Sequence, residues 1–157
     1  MITFVKIPKK RLKLLEKVKN VLEKKGGKIE IDDCVVIESE DPILGLKLKD
    51  AVFAFGRGFS IDECLLLLGE EYVLDVINVK DYAKSKKRIK ELKGRVIGRN
   101  GKVKMMIEEM TNTKIRIYGK TVSVIGRYED VRKASEAIRL ILSGRKHGTV
   151  YRFLERF

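Results

Sequence analysis

Residues 94–126 read GRVIGRNGKVKMMIEEMTNTKIRIYGKTVSVIG, and the change of rhythm along this stretch decides the fold. Two glycines, Gly98 and Gly101, enclose the polar pair Arg99 and Asn100. Lys102 then leads into apolar residues at helical spacing, Val103, Met106, Ile107 and Met110. A tight loop therefore feeds a helix. Past Met110 the period drops to two: Ile115 and Ile117 alternate with Lys114, Arg116 and Tyr118, Gly119-Lys120 makes a turn, and Val122 and Val124 begin a second strand. Beyond Gly126, the residues Val131, Ala134, Ile138 and Ile141 mark one face of a further helix.

The same residues exclude two common phosphate loops. A P-loop ending in Gly101-Lys102 needs glycine at position 96 and a hydroxyl residue at 103, where the chain has Val96 and Val103. A dinucleotide fingerprint that used Gly98 and Gly101 also needs glycine at 96. What remains is a backbone clamp. Residues without a Cβ let the main chain lie close to a sugar-phosphate strand, and Gly101 stands where the next helix offers unpaired N–H groups and its positive dipole end. Arg99, Asn100 and Lys102 add charge and donors, and Arg95 lies one helical turn before Arg99.

Working outward, residues 84–92 read as a basic helix leading to the loop, and residues 72–79 as a strand before it. Toward the N-terminus the chain repeats this plan. A strand over residues 2–7 and an amphipathic helix over 9–25 precede Lys28-Ile29-Glu30-Ile31, which matches Lys114-Ile115-Arg116-Ile117 at an offset of 86. Val35 to Ile37 makes the second strand, Asp41-Pro42 starts a helix, and Ser60 with Glu63 has capping-box spacing for a shorter one. At the same offset, Leu12-Lys13-Leu14-Leu15 stands where the second copy has residues 98–101. The first copy is therefore expected to run as one continuous helix there, with no clamp. At the C-terminus, the aromatic and basic run 150–157 reads equally as a helix packed on the domain or as an exposed contact.

The net charge is +13, and its placement matters more than its size. Residues 1–80 hold 14 Lys/Arg against 14 Asp/Glu, whereas residues 81–157 hold 21 against 8. The excess lies on the half that carries the loop, which points to a polyanionic partner there. Cys34 and Cys64 have neither CxxC spacing nor a nearby histidine, so no metal site, redox site or cofactor is expected. No apolar run reaches the length of a membrane span, and the N-terminus lacks the order of a signal peptide. A soluble cytoplasmic protein without a membrane partner is expected.

The run IG, two polar residues, GK, helix, T-x-T-K-I-x-I and second strand resembles the type I KH domain, in which a GxxG loop is followed by two strands and a closing helix. That resemblance implies an α+β chain of two tandem type I KH-like domains of order β-α-α-β-β-α. Residues 1–71 would form a degenerate copy without GxxG and with an extra C-terminal helix. Residues 72–157 would form the copy with the loop and a basic tail. KH loops hold about four nucleotides of single strand over an apolar floor, which here would involve Ile97 and the strand from Lys114 through Arg116 to Ile117. One departure is Lys104, where most such domains carry an aliphatic residue; a lysine there makes the groove more polar, and with Arg95 it is expected among the RNA contacts. With GK-x-K-x-x-IE, T-x-T-K-I and a chain ending in Arg-Phe, it is similar to the small-subunit ribosome-assembly factors named as the partner of the endonuclease Nob-one, or dimethylase-associated KH proteins. This resemblance implies single-stranded RNA near the 3′ end of small-subunit rRNA as ligand, and ribosome-assembly or translation factors such as that endonuclease as protein partners.

Three classes of function are weighed on these residues. A non-enzymatic adaptor whose second domain grips single-stranded RNA fits the loop and the charge. A nuclease or other RNA-processing enzyme subunit needs converging carboxylates, and near the loop only Glu108 and Glu109 stand, read as ordinary exposed helix positions. A pure protein-interaction scaffold suits the charge-balanced first half better than the second.

Overall fold

The computed structural model describes residues 1–156, and the chain divides into two units, Met1–Tyr72 and Val73–Phe157. The first unit runs β1 (Ile2–Val5), α1 (Lys9–Glu23), β2 (Lys28–Ile31), β3 (Val35–Glu38), α2 (Pro42–Gly56) and α3 (Ile61–Leu65). Its sheet is antiparallel with order β1-β3-β2. Alternation sorts the side chains: Val5, Ile29, Val35 and Ile37 are buried under α1 and α2, while Ile2 and Phe4 are exposed. The caps read from sequence are present. Asp41 accepts the Ile43 N–H at 3.0 Å with Pro42 in the first helical position, and Ser60 and Glu63 bond reciprocally. Residues 12–15 lie inside α1 with Leu12 and Leu15 buried, so the helix passes without a break where the second unit has its glycine loop.

The second unit runs β4 (Tyr72–Asn78), α4 (Lys86–Ile97), α5 (Lys102–Thr111), β5 (Lys114–Tyr118), β6 (Thr121–Arg127), α6 (Tyr128–Leu142) and α7 (His147–Glu155). Its sheet order, β4-β6-β5, has the pattern of the first. The β5–β6 register sets Ile115 opposite Val124 and Ile117 opposite Val122, with Gly119 at positive φ in the turn. Ile115, Val122 and Val124 join Ile89, Leu92, Val96, Ile107, Ile138 and Ile141 in one core. Each such aliphatic side chain contributes about 1.5–3 kcal/mol on full burial.

Two expectations shift, and one open alternative is decided. Helix α4 extends to Ile97, because Val96 continues the buried stripe begun by Ile89 and Leu92. In α5 the buried face is Val103, Ile107 and Thr111, whereas Met106 and Met110 are 43% and 37% exposed. Spacing of four keeps 103, 107 and 111 in one column, which leaves the two methionines a column aside. The C-terminal run forms α7, whose Val150 and Leu154 are buried on the same core, so its packed reading holds; Phe157 lies outside the described residues.

Cys64 is fully buried, and loss of solvation, with Glu63 beside it, pushes its thiol up to about 12; Cys34 is only half-buried. At pH 8 a thiol-reactive dye is expected to label Cys34 in the folded protein and Cys64 only after denaturation, as counted by mass spectrometry. Rapid labelling of both thiols in the native state would contradict this packing.

Candidate nucleic-acid interface

The loop is built from its two flanking helices inward. Ser85 caps α4 by accepting the Arg88 N–H at 3.1 Å, and the helix ends where Gly98, at φ +75° and ψ 173°, donates its N–H to Gly94 at 2.8 Å. Asn100 (φ 57°) and Gly101 (φ +76°) both take the left-handed conformation, and α5 starts directly after them. Asparagine adopts this region more readily than most side chains, so GRNG places tolerant residues at each unusual angle.

The two glycines have different reasons to be bare. A Cβ on Gly98 would stand 2.7 Å from Val103 Cβ and 2.8 Å from its amide nitrogen, so the space is already filled by α5. A Cβ on Gly101 would meet nothing within 4 Å. Gly98 thus locks the loop onto the helix, and Gly101 leaves backbone open to a ligand. No side chain caps α5 and no acidic residue stands in its first turn, so its first N–H groups and dipole end face outward beside the exposed Arg99, Asn100 and Lys102.

The other candidate residues divide by what their charges touch. Lys114 is exposed on β5, and Ile97 is half-buried at the end of α4. Lys104 does not point to water: its ammonium pairs with Glu108 Oε1 at 3.0 Å. Glu108 is therefore not the exposed helix position expected from sequence. Its Oε2 accepts the Ile115 N–H at 2.9 Å and lies 3.9 Å from Arg116, which itself donates to the Ile115 carbonyl at 2.8 Å. One carboxylate ties α5 to the edge strand β5; Glu109 remains exposed. Arg95 is likewise engaged within the unit. Its guanidinium donates to Ile141 O at 2.7 Å and to Arg145 O, and its own carbonyl meets His147 Nε2 at 2.9 Å. It fastens α4 to the turn between α6 and α7, and the side chain stays half-buried.

A groove of about 720 Å³ in this unit lies elsewhere, between β4 and α6, and its lining balances Arg132, Lys133 and Arg139 against Asp75, Glu129 and Glu136. The loop is set apart from this groove, and its exposed residues Arg99 and Lys102 are cationic.

A family model described as the eukaryotic-type KH domain (KH-domain type I), for the second KH domain of PNO1, matches residues 73–157. A KH domain-containing protein of Methanocaldococcus jannaschii is 43% identical over 99% of this chain and 73% of its own length. The chain belongs to the PNO1/Dim2-type KH family. The RNA-binding protein pno1 of Ixodes scapularis is 32% identical over 78% of this chain and 53% of its own. Other relatives in fungi are named pre-rRNA-processing proteins. The chain spans about half the length of the eukaryotic relatives it matches. Among solved structures, the a/eIF2alpha–aDim2p–rRNA complex from Pyrococcus horikoshii OT3 contains a chain of 39% identity at a TM-score of 0.92, over 99% of this chain and 93% of that one.

The unequal roles of the glycines have a measurable consequence. Gly98→Ala is expected to destabilise the unit by about 2–5 kcal/mol, from backbone strain and overpacking together. Gly101→Ala adds strain alone, about 1–2 kcal/mol. Urea unfolding midpoints distinguish the two, and equal losses would contradict the geometry. Glu108→Ala leaves the Ile115 N–H without its acceptor and is expected to cost about 1–3 kcal/mol, with faster amide exchange at Ile115 than at Ile107.

Proposed function

We propose that the second unit holds single-stranded RNA through residues 98–101 and that the chain serves as a non-catalytic adaptor in small-subunit ribosome assembly. The observation that carries this is the open backbone at Gly101, set at an uncapped helix start and flanked by exposed Arg99, Asn100 and Lys102. Phosphate oxygens would sit against the first N–H groups of α5, with the two exposed cations neutralising charge. Ile97 supplies apolar floor beside the loop, while Lys114 and Arg116 line the β5 side. Lys104 acts through its pair with Glu108, which holds that wall in place. The carboxylate of Glu108 is thus an anchor, which suits binding better than acid-base chemistry.

The names of the relatives support RNA as the ligand and pre-rRNA as its source, and the solved complex of a similar chain with rRNA supports the same class. That complex also contains a/eIF2alpha, so a translation factor is a reasonable protein partner for this chain; a Nob-one-type endonuclease is proposed on family resemblance. We read the first unit as a degenerate KH-like copy and as the surface offered to such a protein. In support, its sheet repeats the strand order of the second and an unbroken α1 replaces the loop.

Changing Arg99→Asp together with Asn100→Asp is expected to abolish binding of a single-stranded RNA from the 3′ end of small-subunit rRNA. Both positions are exposed, and aspartate tolerates the left-handed angle at 100, so stability should stay within about 0.5 kcal/mol of wild type. Unchanged affinity by fluorescence anisotropy, with an intact circular dichroism spectrum, would exclude the loop as the site.

A further inference from the structure

Strand β1 is an edge without a guard. Both sheets are three-stranded and open, so β1, β2, β4 and β5 each lie at an edge. An edge presents a row of unpaired N–H and C=O groups, and charged side chains are a common defence against pairing with another chain. Lys28 and Glu30 stand on β2, Asp75 on β4, and Lys114 and Arg116 on β5. Strand β1 reads Ile2-Thr3-Phe4-Val5 and carries no charge.

Two alternations along β1 coincide. Met1 and Ser39 exchange backbone bonds, with the Met1 amine donating to Ser39 O at 2.8 Å and the Ser39 N–H donating to Met1 O at 3.0 Å. In an antiparallel ladder such exchanges fall on every second residue. Thr3, opposite Ile37, and Val5, opposite Val35, therefore bond to β3, while Ile2 and Phe4 turn their N–H and C=O groups outward. The side chains of these same two residues lie on the sheet face turned away from α1 and α2, where they are 58% and 66% exposed. Val36, opposite Phe4 on that face, is only half-buried. A solvated sheet face ordinarily carries polar residues at such positions.

Free backbone groups and bare apolar side chains thus belong to one pair of residues, two apart. That pattern is self-complementary. Antiparallel pairing of β1 with its own copy, centred on Thr3, sets Ile2 against the partner's Phe4 and Phe4 against the partner's Ile2. Each outward N–H and C=O then finds an acceptor or donor, and both apolar pairs share one face. A slip of one residue would break both alternations together. Charge points to the same occupant. Two copies of a +13 chain repel in net, and β1 offers a contact with no charge at the axis.

We propose that two copies of this chain associate through β1 about a two-fold axis, in the register Ile2 opposite the partner's Phe4, so that two three-stranded sheets become one of six strands. The proposal concerns the edge of the first unit and is independent of the reading of residues 98–101 as an RNA clamp. Its consequence is an assembly with two copies of that loop. Two four-residue strands make a small contact, so the dimer is of the transient kind.

Sedimentation equilibrium tests it in about 0.3 M salt, which screens the net charge. Wild type is expected to rise from the monomer mass of 18.0 kDa at about 5 µM toward about twice that at about 0.5 mM. Ile2→Lys with Phe4→Lys sets like charges opposite each other in both pairs and leaves a monomer throughout. Ile2→Lys with Phe4→Glu sets a lysine opposite a glutamate in both pairs and keeps the dimer, which mere loss of an apolar patch would not do. Both positions are exposed, so the circular dichroism spectra should match wild type. Amide exchange on wild type gives a second reading without any substitution: Ile2 and Phe4 slow as protein concentration rises, and Thr3, bonded to β3 in either state, does not.

A wild-type mass of 18.0 kDa at every concentration would overturn the proposal. So would a dimer that survives the double-lysine variant, or one whose formation leaves exchange at Ile2 and Phe4 unchanged. Loss of the dimer in both folded double variants would overturn the Ile2–Phe4 register. RNA binding by the loop is untouched by any of these results.

Discussion

The contact on which the second unit depends is Val103 against the bare face of Gly98. A side chain at 98 cannot coexist with the start of α5, and the positive φ there turns the chain away from α4 at the same residue. Because α5 abuts the turn so closely, the connection between the helices is only four residues, Gly98–Gly101, and three of them have positive φ. The first N–H groups of α5 are consequently delivered to the surface without side-chain caps. One glycine secures the geometry, and the other keeps its product exposed.

Around this turn the charged side chains fall into two groups. Arg95 is consumed by backbone carbonyls of the α6–α7 region, and Lys104 and Arg116 gather at Glu108. These groups set the walls: α4 is held to the C-terminal elements and α5 to the edge of β5. Arg99, Lys102, Lys114 and the lysines of α4 have no such commitments among the described residues. A sheet edge is normally an unpaired row of donors and acceptors. Here Glu108 and Arg116 occupy both outward groups of Ile115, which keeps the strand in register while leaving the solvent side cationic.

The first unit shows what the same strand order does without the glycines. Leucines at 12 and 15 face the core, and α1 continues through the position of the turn, so its backbone N–H groups are spent within the helix. Similar sheets therefore carry different surfaces, and the difference follows from four consecutive residues.

Much of this was legible before any coordinates. The GRNG loop, the alternation about Ile115 and Ile117, the Asp41 and Ser60 caps and the leucine-filled turn all depend on residues within a few positions of one another, and local order displays them directly. Tertiary structure alone decided that Arg95 bonds the carbonyls of Ile141 and Arg145, that Glu108 is an anchor, that Val103 fills the space at Gly98, and that α7 packs on the core. Arg95 meets its acceptors 46 and 50 residues away, and Glu108 reaches across to another element. A charged residue looks the same in sequence whether its partner is water, a ligand or a distant carbonyl, because only the folded chain brings the competing partners within hydrogen-bond distance.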